Sequence, residues 1–400
     1  TGRVIATGGG ALLNAANRQA MMSGGTVVCL TSDVDEILRR LSDGDAPARP
    51  LLDVPDPRAE IECLLAARQE AYAAIPWQVD TSGSSVEDVV ERVIQLADVV
   101  TLRVGYPGGE YPIYLGDGLL AHAGGALRAG GVLQGSRVAL VSNPVVEPLY
   151  GAQLESTLSA AGYQPVVCLI PDGEEHKTLD TVARLYDQFL DGGLDRSSGV
   201  ISLGGGVTGD IAGFAAATFM RGVPFVQVPT TLLSMVDASV GGKVGVDLPQ
   251  GKNLAGAFKQ PALVVVDPGV LSTLPAEEVR SGMSEVIKHG IIGAPDLFAE
   301  LESPHPGARF PMSVAQLGRA LEVKIQIVEA DPFEQGRRAV LNLGHTVAHA
   351  LERLSGYGLR HGEAVAIGMV AAARISAELG RAEPPLPGRI EAALAAWGLP

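Results

Sequence analysis

The run Val200-Ile201-Ser202-Leu203 passes directly into Gly204-Gly205-Gly206-Val207-Thr208-Gly209-Asp210, and no other feature constrains the fold of this chain as much. A short aliphatic, β-branched run reads as a buried strand, the glycines as a tight turn, and Ile211 to Phe219 as a helix. A strand entering a helix through G-x-G-x-x-G belongs to an α/β layer. Glycine there lets the backbone approach a phosphate, and the helix N-terminus supplies N–H donors. An ordinary dinucleotide site also carries an acid about 20 residues further on. Here that place is held by Val228-Pro229-Thr230-Thr231. A nucleotide bound in a non-Rossmann manner and a glycine turn without ligand both satisfy the pattern.

The same alternation extends along most of the chain. Residues 1 to 97 read as strand Arg3 to Thr7, a turn at Gly8-Gly9-Gly10, strand Thr26 to Leu30, a helix around Asp33 to Leu41, a Pro-rich loop, and a long helix from Ala59 to Ala74. From Thr101 the pattern restarts. Thr101 to Val104, Tyr111 to Leu115, Arg137 to Val141, Pro165 to Ile170, Val200 to Leu203 and Phe225 to Val228 are strand candidates between helical pieces, which predicts a parallel sheet. Beyond Leu274 the strand signals stop. Ala276 to Ile292, Met312 to Ala330, Val340 to Leu354 and Glu363 to Leu379 then read as helices. The predicted organisation is a partial α/β segment (1–97), an α/β domain (101–274) and an all-helical layer (275–400).

Charge narrows the partners. The 30 basic residues divide into 24 Arg and 6 Lys against 45 acids, a net charge of -15, with no basic run longer than two. Such a chain lacks the counter-charge for sequence-independent nucleic-acid binding or an anionic membrane surface. Cys29, Cys63 and Cys168 form neither a disulfide framework nor a C-x-x-C site, as expected of the cytoplasm. No apolar run approaches the roughly 20 residues of a membrane span, so a soluble, unexported protein is expected.

Two groups of residues carry chemistry. His345, His349 and His361 fall within 17 residues, and the first two share a helix face. With Glu285 or Glu363 they compose a two-His, one-carboxylate metal site, although an interior His pair is the plainer reading. The pattern is not H-E-x-x-H. The lysines, Lys177, Lys243, Lys252, Lys259, Lys288 and Lys324, all fall after residue 176, several of them in glycine-rich turns. Convergent cations suit a phosphorylated anion. No Walker sequence G-x-x-x-x-G-K-[ST] occurs.

Taken together, Asp172 to Lys177, Ser202 to Gly213, Phe219 to Pro224, Gln227 to Lys243, Gly251 to Leu254, Glu285 to Lys288, Leu341 to Thr346 and His361-Gly362-Glu363 closely resemble 3-dehydroquinate synthase over residues 101 to 400. The resemblance implies an NAD-binding α/β domain followed by a helical metal domain. It makes Glu285, His345 and His361 ligands of zinc, with cobalt as a substitute. It places NAD against Asp172, Gly173, Glu174, Glu175, His176 and Lys177, against Gly206, Val207, Thr208, Gly209 and Asp210, and against Thr230, Thr231, Val270, Leu271, Ser272 and Thr273, with Lys243 and Lys252 nearby. The substrate, a phosphorylated sugar acid, falls to Asp237, Lys243, Asn253, Lys288, Lys324, Arg338, Asn342 and His349, with Arg221 reaching the phosphate from a neighbouring subunit of a homodimer. The implied reaction oxidises a ring hydroxyl, eliminates phosphate, reduces the ketone again and closes a carbocycle by aldol addition. Another sugar-phosphate cyclase of the same fold and an inactive regulatory relative are the alternatives.

Residues 1 to 97 resemble the C-terminal half of shikimate kinase, through Val4 to Gly10, Arg49 to Leu52 and Arg68 to Tyr72. That resemblance assigns Gly8, Gly9, Gly10 and Arg68 to shikimate and Arg49 to the lid over ATP. Without a P-loop the segment is expected to be inactive, as part of a kinase–synthase fusion cut at both ends.

Overall fold

The computed structural model describes residues 3–42, 54–131, 133, 135–303, 312–355 and 358–400. The first part of the chain carries α1 (Ala15–Gly24), β1 (Val28–Thr31), α2 (Val34–Ser42), α3 (Pro57–Ala73), β2 (Trp77–Asp80) and α4 (Val86–Ala97). Its helices start where the sequence supplies caps. The Asp56 side chain accepts the Ala59 amide ahead of α3, and Ser85 with Asp88 closes a capping box ahead of α4. β1 and β2 pair in parallel. The expected strand Arg3 to Thr7 does not form. Val4 and Ile5 are exposed, and an extended run becomes a strand only where a neighbour completes its hydrogen bonds. Gly9 instead opens a 3-10 turn, Gly9–Leu13.

There follow β3 (Val100–Tyr106), β4 (Gly109–Leu115), α5 (Ala123–Ala129), β5 (Arg137–Ser142), α6 (Ala152–Ala160), β6 (Gln164–Leu169), α7 (Leu179–Asp191), β7 (Gly199–Gly204), α8 (Gly206–Thr218), β8 (Phe225–Pro229), β9 (Lys243–Leu248), β10 (Gly251–Phe258) and β11 (Leu263–Val266). Seven of these strands form one sheet in the order β3-β4-β11-β8-β7-β5-β6. It is parallel except at its edge, where β3 and β4 run antiparallel. The parallel expectation fails there because Pro107-Gly108 is too short to do anything but reverse the chain. β9 and β10 form a separate antiparallel hairpin. It and the short β11 escaped the sequence reading, the hairpin because Gly245 and Gly256 interrupt its apolar pattern.

The helical layer holds α9 (Ala276–Gly293), α10 (Pro295–Leu301), α11 (Val314–Ala330), α12 (His345–Leu354), α13 (His361–Glu378) and α14 (Leu386–Ala396). Its described residues contain no strand. The single helix expected over Val340 to Leu354 is broken. A 3-10 turn, Arg337–Asn342, ends before Gly344, whose φ of 84° suits glycine.

One apolar core joins a face of the sheet to the helical layer and also takes in Trp77, Val79 and Leu96 of the N-terminal segment. Trp77 meets the Tyr114 ring edge-on at 4.9 Å. The other face is covered by α7, α8 and β9. β6 and β7 leave β5 in opposite directions, so a crevice opens beyond the carboxyl ends of β5 and β7, where open α/β sheets bind ligands. Among the described residues no helix is long and apolar enough to cross a membrane.

Candidate active site

The glycine turn lies at that crevice. Thr208 is buried directly above Gly204, where a Cβ would meet its side chain, and no side chain caps the N-terminus of α8, which leaves that end to a ligand. Lys177, itself buried, forms an ion pair with Asp210 at 2.6 Å and donates to Asn253 Oδ1 at 2.6 Å. Burial pushes the Asp210 carboxyl up to about 6, with Lys177 holding it back. Lys252 pairs with Glu174 at 3.3 Å across the mouth. Asp172 follows β6, where its Oδ1 accepts the Asn143 side-chain amide at 2.9 Å. The glycine turn follows the third strand of this unit rather than the first, so an acid about 20 residues beyond it was the wrong place to look. Val270 and Thr273 lie in the 3-10 turn Pro268–Thr273, and the Tyr150 hydroxyl donates to Val270 O at 2.8 Å. Thr230 is buried beyond β8, and Thr231 caps the next turn by accepting the Ser234 amide.

A cavity of about 620 Å³ runs from Asp210 to His345. Asp237, Lys243, Asn253, Lys288, Lys324, Arg338 and Asn342 line it. Lys324 on α11 pairs with Asp237, and Lys243 pairs with Glu334. Burial opposes a charge on Asp237, but Lys324 and Lys288 outweigh it and hold the carboxyl below its ordinary range. Arg338 is 2% exposed and donates to the carbonyls of Gly241 and Pro332. Two expected substrate residues lie apart. His349 is exposed and absent from the lining, and its ring stands edge-on to His345 at 5.6 Å. Arg221 is exposed beyond α8 in a left-handed run: Met220, Arg221 and Gly222 have φ of 49°, 71° and 109°.

At the far end of the cavity His345 joins Glu285 and His361, and the atoms these three could offer a metal all lie within 4.8 Å of one another. Glu285 is fully buried on α9. Its carboxylate faces the Lys288 ammonium one turn on and otherwise finds no hydrogen-bond donor among the described residues. The His345 Nδ1 lies 3.3 Å from Leu343 O, and the His361 Nδ1 lies 3.2 Å from Glu352 Oε1. Both contacts leave Nε2 free to face inward, and buried oxygens without donors suit a cation. Glu363, the other candidate acid, instead accepts the Arg360 amide at 3.2 Å as a helix cap. Close backbone approaches seat the three candidate ligands. α13 touches α9 where Gly362 meets Ser281, and touches the start of α12 where Gly368 meets Gly344. In the N-terminal segment, Arg68 donates to the Tyr72 hydroxyl, which reaches Gly9 O at 3.4 Å. Gly8 and Gly10 are exposed beside it, and Arg49 lies outside the described residues.

Residues 167–281 match the model of the 3-dehydroquinate synthase N-terminal region and residues 282–400 that of its C-terminal region. A curated 3-dehydroquinate synthase from Pelotomaculum thermopropionicum is 50% identical over 305 residues, 75% of this chain and 81% of the relative. The chain belongs to the 3-dehydroquinate synthase family. The relative from Geobacter metallireducens is 49% identical over 75% of this chain and 84% of its own length. Among solved structures, 2-deoxy-scyllo-inosose synthase complexed with carbaglucose-6-phosphate, NAD+ and Co2+ is 26% identical with a TM-score of 0.68, covering 74% of this chain and 82% of that one. The 2-epi-5-epi-valiolone synthase of Streptomyces hygroscopicus, with NAD+ and Zn2+ bound, is 30% identical with a TM-score of 0.65, covering 72% and 81%. Residues 1–98 match the shikimate kinase model.

For a 3-dehydroquinate synthase family member, the sequence reading missed the residues that hold the site from behind: Asn143, Tyr150, Glu334 and Glu352. Glu352 had a signal, since it lies seven residues after His345 and so on the same helix face. The others had none.

Proposed function

We propose that this protein is a 3-dehydroquinate synthase of the cytoplasm, converting 3-deoxy-D-arabino-heptulosonate 7-phosphate to 3-dehydroquinate and phosphate with NAD and zinc, as a homodimer. The observation that carries the reading is one cavity lined by Asp210 from the first turn of α8, by His345 of the Glu285–His345–His361 group, and by the four cations Lys243, Lys288, Lys324 and Arg338. NAD supplies hydride transfer, and the metal supplies Lewis acidity toward a substrate hydroxyl. The uncapped N-terminus of α8 and Lys177 are suited to the pyrophosphate, and Asp172 to a ribose hydroxyl. Glu285, His345 and His361 match zinc's preference for nitrogen and oxygen donors with an open position.

The remaining roles follow from charge. Arg338 has no carboxylate partner among the described residues and presents a planar donor set, which fits a substrate carboxylate and favours a sugar acid over a neutral sugar phosphate. Lys243, Lys288 and Lys324 neutralise the anion and hold the leaving phosphate beside the carbon that loses it. Arg221 is exposed and does not line its own cavity, in keeping with service to a second copy.

Two tests bear on this. Phosphate release from the seven-carbon acid substrate should require NAD, stop on chelation and return with Zn2+. Turnover only of a neutral sugar phosphate would reject the assignment. Mixing inactive Arg221→Ala and Lys288→Ala proteins should restore up to about a quarter of wild-type activity through one repaired site per hybrid dimer. No recovery after subunit exchange would place Arg221 outside the site. The chain should show no ATP turnover, since none of its 400 residues forms a Walker motif.

A further inference from the structure

Each cavity lysine described above is held by a carboxylate, whereas among the described residues the Arg338 guanidinium is held by carbonyls alone. What fixes its place lies behind it. Asp331, the residue after α11, is buried, and its side chain gathers three backbone donors: Gln335 N at 2.8 Å on Oδ1, with Gly336 N at 2.7 Å and Arg338 N at 3.0 Å on Oδ2. The bonds from Arg338, Gln335 and Gly336 hold its carboxyl below the ordinary range. The turn so closed also carries Glu334, at φ 55°, against Lys243. The guanidinium then docks on Gly241, whose amide in turn donates to the Tyr111 hydroxyl at 3.3 Å, whose φ of 100° favours glycine, and where a Cβ would run into the Arg338 guanidinium.

We propose that Asp331 is a positioning residue: it acts on substrate through Arg338, by closing the turn that aims the guanidinium into the cavity. The proposal rests on the reading of the cavity as a phosphorylated sugar-acid site. A carboxylate is suited to the task because it offers two acceptor oxygens and no donor to compete with three converging N–H groups. Asn in its place keeps one acceptor and turns an NH2 group toward the amides, so the turn should loosen while the helix behind it stays folded.

The test is a double-mutant cycle with Asp331→Asn and Arg338→Gln in the full chain. Asp331→Asn should raise KM for the seven-carbon substrate about tenfold and leave kcat within about threefold, as for an interaction made equally in ground and transition states. In the Arg338→Gln background it should add nothing, because the residue it acts through is gone. Additive effects in the cycle, or a fall in melting temperature with KM unchanged, would overturn the proposal and leave the assigned reaction standing. If the wild-type protein does not turn the substrate over, the reaction assignment fails instead. The inference is then read by hydrogen exchange, where Asp331→Asn should speed exchange of the Gln335, Gly336 and Arg338 amides about tenfold. Unchanged protection at those amides would reject it.

Discussion

Glu285→Gln is expected to empty the metal site and lower kcat by at least about a thousandfold, the scale of a lost Lewis acid worth several kcal/mol. Glu285 brings the one anionic donor of the Glu285–His345–His361 group, and its carboxylate is fully buried with no hydrogen-bond donor other than Lys288 among the described residues. Gln keeps the shape and can still accept from Lys288, so the fold should survive. Stability should fall by less than the roughly 3–5 kcal/mol of outright removal of one partner from a buried ion pair. Metal content by mass spectrometry, beside circular dichroism and phosphate release, decides the matter. One equivalent of metal retained in folded Glu285→Gln would remove Glu285 from the ligand set.

Gly368→Ala should cost about 3 kcal/mol and weaken metal binding together. A methyl group at Gly368 would fall inside the contact distance of the Gly344 carbonyl, and backbone cannot rotate away as a side chain can. Gly344 immediately precedes His345, so the strain lands on a candidate ligand. Urea denaturation and metal titration of the same protein should shift in step. A loss below about 1 kcal/mol with normal metal affinity would show that α12 and α13 can part without disturbing the site. Gly362→Ala, which would press on Ser281, should act likewise between α13 and α9.

The strand-to-glycine-turn signal and the three histidines were legible because their chemistry is local: an aliphatic run, a turn only glycine permits, imidazoles in a short window. The choice between Glu285 and Glu363 was not legible from spacing, since both are acids on helices that approach His345 and His361. Tertiary packing separates them, burying Glu285 with Lys288 as its one charged neighbour on α9 and turning Glu363 back onto the Arg360 amide. The strand expected at Val4-Ile5 shows the converse, a good local pattern with no neighbour to pair it. Asp331 looked like any other among 45 acids, and Glu352 showed only its spacing from His345. Their meaning lies in what folds around them.

By itself, then, the sequence determined the layer type, the nucleotide-like turn, the inventory of cations and metal donors, and the family. Each depends on residue type and short-range spacing, which the chain carries whether folded or not. Only the tertiary structure decided how Glu285 is buried beside the histidines while Glu363 caps its own helix, which lysines face which carboxylates, that His349 and Arg221 stand outside the cavity, and that Asp331 seats Arg338. Those are contacts between residues up to about a hundred positions apart, as between Gly241 and Arg338. They arise when sheet and helices share one core and bring buried charges within reach of a partner.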